Sequence, residues 1–152
     1  MSTVHANDRK PSAVQYIDTA RELVVHTIAY CKKFPKNLTF LLTNKIVALS
    51  EKIYVCVVTA QAKFPKSERD IAERRTLLTD ALGSIASMDC LLGIAKDLQA
   101  RTSDAEYGQE AGKEKSKKVS DYGWCHWGDL MDTEERLIKA VLSSDEKLSF
   151  EK

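Results

Sequence analysis

The sequence repeats its apolar residues at intervals of three and four over long stretches, and two prolines punctuate them. Tyr16, Ala20, Leu23, Thr27, Tyr30 and Phe34 follow one another at 4, 3, 4, 3 and 4 residues, with Ile17, Val24, Ile28 and Cys31 widening the stripe. That period belongs to a helix burying one broad face. Pro35 ends it, because the residue before a proline is pushed out of helical backbone. The same punctuation returns thirty residues on: Lys33-Phe34-Pro35-Lys36 is repeated as Lys63-Phe64-Pro65-Lys66.

Between the two prolines, Leu42, Ile46, Leu49, Ile53, Cys56 and Ala60 keep the heptad spacing. Val47, Tyr54 and Val58 form a second stripe. Ile53–Val58 favours a strand by residue type, but the helical period on both sides decides for helix. Beyond Pro65 the stripe is Ile71, Leu78, Ala81, Ile85, Met88, Leu92 and Ala95, broadened by Leu82, Leu91, Ile94 and Leu98. Gly83 and Gly93 lie inside it, either as tolerated glycines or as marks of close helix approach. Ser67 and Asp70 stand at capping-box spacing. Residues 100–120 lose the period and are rich in Lys, Glu, Ser and Gly. Trp124, Trp127, Leu130, Met131, Leu137, Ile138, Val141 and Leu142 then restore it.

The expectation is all-α: an antiparallel up-down-up-down four-helix bundle with a charged insertion before the last helix. Helices are expected near 13–33, capped by Ser12, then 37–63 from Asn37, 67–99 and 121–143. Residues 1–12 read as a lead-in, 13–143 as the bundle, 100–120 as a charged loop, and 144–152 as a fraying end. A single domain of 152 residues buries enough surface to stand without staples.

The four cysteines, Cys31, Cys56, Cys90 and Cys125, form no C-x-x-C pair, and they read as reduced thiols of a cytoplasmic protein. The first residues lack a signal-peptide core, and no uninterrupted apolar run reaches membrane-span length. The sequence carries no phosphate-binding loop, dinucleotide fingerprint or nucleophile elbow. It has no Glu-x-x-His for a bundle di-metal site. Cys125 and His126 are adjacent, so on a helix they point about 100° apart and cannot easily share a metal. His26 reads as a surface or satisfied core histidine. Trp124 and Trp127 read as core or subunit contact. The chain is therefore expected to be no enzyme and to need no cofactor or metal.

The remaining signal is electrostatic. Net charge is +1, yet residues 1–66 hold ten Lys+Arg against four Asp+Glu, and residues 67–152 thirteen against eighteen. Lys45 and Lys52 share a helix face. Lys32, Lys33 and Lys36 cluster at the first turn, and Arg74 and Arg75 adjoin on the third helix. Counting back from Pro65 puts Lys52 near Arg74 and Arg75 across a helical hairpin. These residues either hold a phosphate backbone or form the wet side of amphipathic helices. Lys113–Lys118 reads as part of a solvated linker, with a binding tail as the alternative.

The segments A-R-E-L-V-V at 20–25, K-K-F-P-K at 32–36, L-T-N-K-I-V-A-L-S-E-K-I at 42–53 and R-R-T-L-L-T-D-A-L-G-S-I at 74–85 resemble a bacterial family of four-helix-bundle proteins. That family includes proteins encoded in intervening sequences of ribosomal RNA genes and the accessory variability determinants of diversity-generating retroelements. The resemblance covers roughly residues 13–99. It implies a homo-oligomeric five-membered ring, in bacteria or their phages, that presents a basic surface to RNA or DNA and to a reverse transcriptase and supports mutagenic reverse transcription. Lys45, Lys52, Arg74 and Arg75 would be that surface. The competing expectation is an oligomeric protein-interaction bundle with no nucleic-acid role.

Overall fold

The computed structural model describes residues 11–102 and 118–148, with side chains from Val14 onward. Among the described residues four long helices make up the fold: α1 (Pro11–Cys31), α2 (Asn44–Ala62), α3 (Glu68–Arg101) and α4 (Asp121–Glu146). Each packs against two others: α1 on α2, α2 on α3, α3 on α4 and α4 back on α1. Cross-helix bonds fix the antiparallel order. Tyr16 near the start of α1 donates to Gln61 at the end of α2. Arg74 near the start of α3 meets Asp145 at the end of α4, and His26 late in α1 meets Gly123 early in α4.

Helix ends follow local chemistry. Ser67 caps α3 by accepting from the Asp70 amide. The short Asp70 carboxylate reaches back to the Lys66 amide at 3.1 Å, closing the motif one residue earlier than a glutamate would. Ser120 caps α4 through the Gly123 amide. Pro35 and Pro65 both lie outside the long helices.

Several boundaries differ from the sequence reading; α1, for one, stops at Cys31 rather than at 33. In α1, Ser12 is inside the helix rather than its cap, because Pro11 occupies the first turn, where a missing amide N–H costs nothing. Asn37 does not cap α2. A 3-10 turn (Lys36–Leu38) and a π-helical turn (Thr39–Thr43) precede it, with Leu42 turned inward and Phe40 and Leu41 outward. Finally, α4 runs three residues past 143, because Asp145 is anchored in the interior. Of the expected loop, Ala100 and Arg101 belong to α3, and Val119 is pinned by two bonds to the Gln99 amide. The expectations for 1–10, 103–117 and 149–152 lie outside the described residues.

The core follows the expected stripes, except that Ile28, expected to widen the α1 stripe, is exposed. Tyr16, Ala20, Leu23, Ile46, Ile53, Leu78, Ala81, Met88, Trp127 and Ile138 are all buried. Ile94 and Leu98 are exposed, so the α3 stripe is narrower than its sequence suggested. By length and composition alone α3 is apolar enough to cross a membrane, but its inward residues are spent on the bundle core.

Candidate nucleic-acid interface

Lys45 and Lys52 are both exposed on the outer face of α2, about 10.5 Å apart along its axis. Lys32 and Lys36 are exposed in the α1–α2 connection. Lys33 is half-buried, with its Nζ 4.5 Å from the centroid of the Tyr30 ring. Among the described residues none of these five lysines is in a salt bridge. No Asp or Glu occurs anywhere between residues 23 and 50. Phe40 (83 % exposed) and Leu41 (69 %) project between Lys36 and Lys45.

An aromatic cluster holds this end of the bundle. Phe34, unlike its repeat counterpart Phe64, is buried and stacks on Trp124 at 6.1 Å. Trp124 packs on Trp127 at 5.3 Å, and the Trp127 indole donates to the Thr27 hydroxyl at 2.9 Å. The His26 ring lies 5.1 Å from that of Trp127, and its Nε2 is 2.9 Å from the Gly123 carbonyl. Burial lowers its pKa; the adjacent His126 acts in the same direction, while the Gly123 carbonyl opposes both. Gly123 is required here: a Cβ would come 2.5 Å from Tyr30 Cε1 and 2.8 Å from Val119 Cγ1.

Arg74 and Arg75 do not join the lysines. Arg74 is buried. It donates to both carboxylate oxygens of Asp145 and, through Nη1, to the carbonyls of Ala60 and Lys63 at 2.8 and 3.0 Å. It thus gives the Lys63 carbonyl a donor at the end of α2 and adds a second one to the Ala60 carbonyl, which also accepts from the Lys63 amide. Arg75 is exposed but pairs with Glu146 at 2.7 Å. The hairpin count placed Lys52 beside these arginines. The 62–68 turn takes up more chain than that count allowed, and Arg74 sits level with Ala60, about 12 Å beyond Lys52. Lys63 and Arg69 at this end also pair, both with Glu73. Four cations at the α2–α3 end, Lys63, Arg69, Arg74 and Arg75, are therefore answered by carboxylates, and the five lysines at the α1–α2 end are not, among the described residues.

A cleft of about 440 Å³ opens at the neutralised end, lined by Tyr16, Gln61, Arg74, Leu137, Val141 and Asp145. The two charges in its lining are committed to each other. Among the described residues no three His, Cys, Asp or Glu side chains gather to hold a metal ion. All four cysteines are free; Cys31 and Cys56 are buried, and burial pushes the Cys31 thiol up to about 12.

No protein-family model, no curated protein and no solved structure matches this chain.

Proposed function

We propose that the chain is a non-catalytic accessory protein of a diversity-generating retroelement. It would bind RNA or DNA, and a reverse transcriptase, through the lysines of the α1–α2 end. One observation carries the nucleic-acid part: Lys32, Lys33, Lys36, Lys45 and Lys52 lack carboxylate partners among the described residues, whereas Lys63, Arg69, Arg74 and Arg75 at the opposite end have them. Unpaired cations are free to replace the counterions of a phosphate backbone. Phe40 adds a face on which an unpaired base can stack. The retroelement assignment rests on the sequence resemblance, and the reading places the protein in the bacterial cytoplasm.

Self-association belongs to the same reading. Outside its buried Glu134 and Asp145, helix α4 presents five carboxylates, Asp121, Asp129, Asp132, Glu135 and Glu146, against two basic residues. A head-to-tail contact between the α4 face of one copy and the basic face of the next is electrostatically favourable, and such contacts close into rings. Exposed Val25, Ile28 and Val55 favour the second reading, an oligomeric interaction module without nucleic acid. Titrating single-stranded RNA against salt separates the two. Five phosphate contacts give a log–log slope of about −3 to −4, and a flat response supports the interaction module.

A further inference from the structure

The inner stripe of α4 runs Trp124, Trp127, Met131, Glu134, Ile138, Val141, Asp145, at intervals of three and four. Of the six other than Glu134, five are aromatic or aliphatic, with the Trp124 Nε1 buried and unpartnered, and Asp145 is answered by Arg74. Glu134 is fully buried, at 0 % exposure, and neither of its carboxyl oxygens has a hydrogen-bond partner. Counting seven residues along antiparallel α1 and α4 from the Thr27–Trp127 bond sets Ala20 opposite Glu134. Counting eleven residues along antiparallel α3 and α4 from the Arg74–Asp145 pair brings Ile85 of α3 to that level. Both are buried and apolar.

The charged and titratable groups around this layer are otherwise engaged. From α1, the Tyr16 hydroxyl donates to Gln61. From α2, Ser50 donates to the Val47 carbonyl, and the Cys56 thiol is held neutral by burial. From α3, Arg74 is committed to Asp145 and to the end of α2. No Lys, Arg or His hydrogen-bonds to Glu134 among the described residues.

We propose that Glu134 is carried in the core as the neutral acid and acts as an alkali-sensitive latch, whose deprotonation unseats α4 from α1 and α3. An uncompensated carboxylate in an apolar layer is strongly disfavoured, so the protein must keep the proton or move the side chain to water. In the first case the group titrates far above a free carboxyl; burial raises it to about 8. In the second, the turn of α4 that carries Glu134 must leave the stripe, and Trp127 and Met131 move with it.

The carboxyl carbon of Glu134 in the ¹³C-glutamate-labelled wild type, assigned by its loss in Glu134→Gln, reads the proton directly. A midpoint near pH 8 is expected; a midpoint below about 5.5, in the range of an ordinary carboxyl, overturns the proposal. Hydrogen exchange reads the latch. From pH 6.5 to 9, after correction for intrinsic exchange, α4 amides of the wild type should lose protection at least ~10-fold more than those of α2. Those of Glu134→Gln should not. Equal losses in the two helices, or the same α4 loss in Glu134→Gln, would overturn it. If Glu134→Gln does not fold, Glu134→Leu fills the layer without a polar group and takes its place in both arms.

Discussion

Arg74 and Asp145, 71 residues apart in sequence, form a two-pronged ion pair of 2.9 and 3.3 Å inside the bundle, and the same guanidinium closes the C-terminal end of α2. One side chain thus ties α2, α3 and α4 together. Asp145→Ala strands a buried cation and should cost about 3–5 kcal/mol, as breaking one side of a buried pair does. The adjacent Arg75–Glu146 pair is more than half exposed, and Arg75→Ala should cost under about 1 kcal/mol. Urea denaturation of the two variants side by side checks the contrast.

Two glycines test the packing of α4 against α1. Gly123→Ala drives a methyl into Tyr30 and Val119 and should lose about 1–3 kcal/mol, as overpacked sites do. Gly83 is exposed, with nothing within 4 Å of a Cβ built there. Gly83→Ala should therefore gain up to about 1 kcal/mol from helix propensity. Thermal melts that rank the two variants the other way would show that α1 and α4 do not meet at Gly123.

His26 makes the bundle sensitive to acid. Burial holds its folded-state pKa below the usual 6.5, so the unfolded chain takes up the proton first. The stability tied to neutral His26 is present above about pH 6.5 and is lost as pH falls through the depressed folded value. His126, 4.7 Å away, acts in the same direction as burial, while the Gly123 carbonyl and Glu22 oppose it. Denaturation midpoints of the wild type should fall between pH 7 and 5 more steeply than those of His26→Gln. Parallel profiles would assign the acid sensitivity elsewhere.

The four helices were legible because period and punctuation agree: apolar residues every three or four, and a proline at each of the first two stops. The polar residues that the core absorbs were harder to see. Arg74 stands four before Leu78, Glu134 four before Ile138, and Asp145 four after Val141, each on the extrapolated stripe. Charge type argued for solvent, and position argued for the interior. Position decided the outcome, with Arg74 and Asp145 compensating each other and Glu134 compensated by nothing. The candidate site was half legible. The lysines sit where a surface reading puts them, and the carboxylate-free stretch from 23 to 50 was a further signal in the sequence. Pairing of Arg74 and Arg75 with the end of α4 depends on helix register over 71 residues, which no local pattern encodes. The π-helical turn that projects Phe40 and Leu41 likewise had no pattern to announce it.

The central claim is that nucleic acid meets the α1–α2 end of the bundle and not the α2–α3 end. Fluorescence anisotropy with a labelled single-stranded RNA at fixed, moderate salt tests it directly, comparing Lys36→Glu/Lys45→Glu with Arg75→Glu. The lysine double reversal should weaken binding at least ~10-fold, because each lost phosphate contact forfeits counterion release. Its melting temperature should stay close to that of the wild type, since both lysines are exposed and unpaired among the described residues. Arg75→Glu should bind as the wild type does. Equal affinity of the folded double variant and the wild type, or a wild type that binds no RNA, would contradict the account.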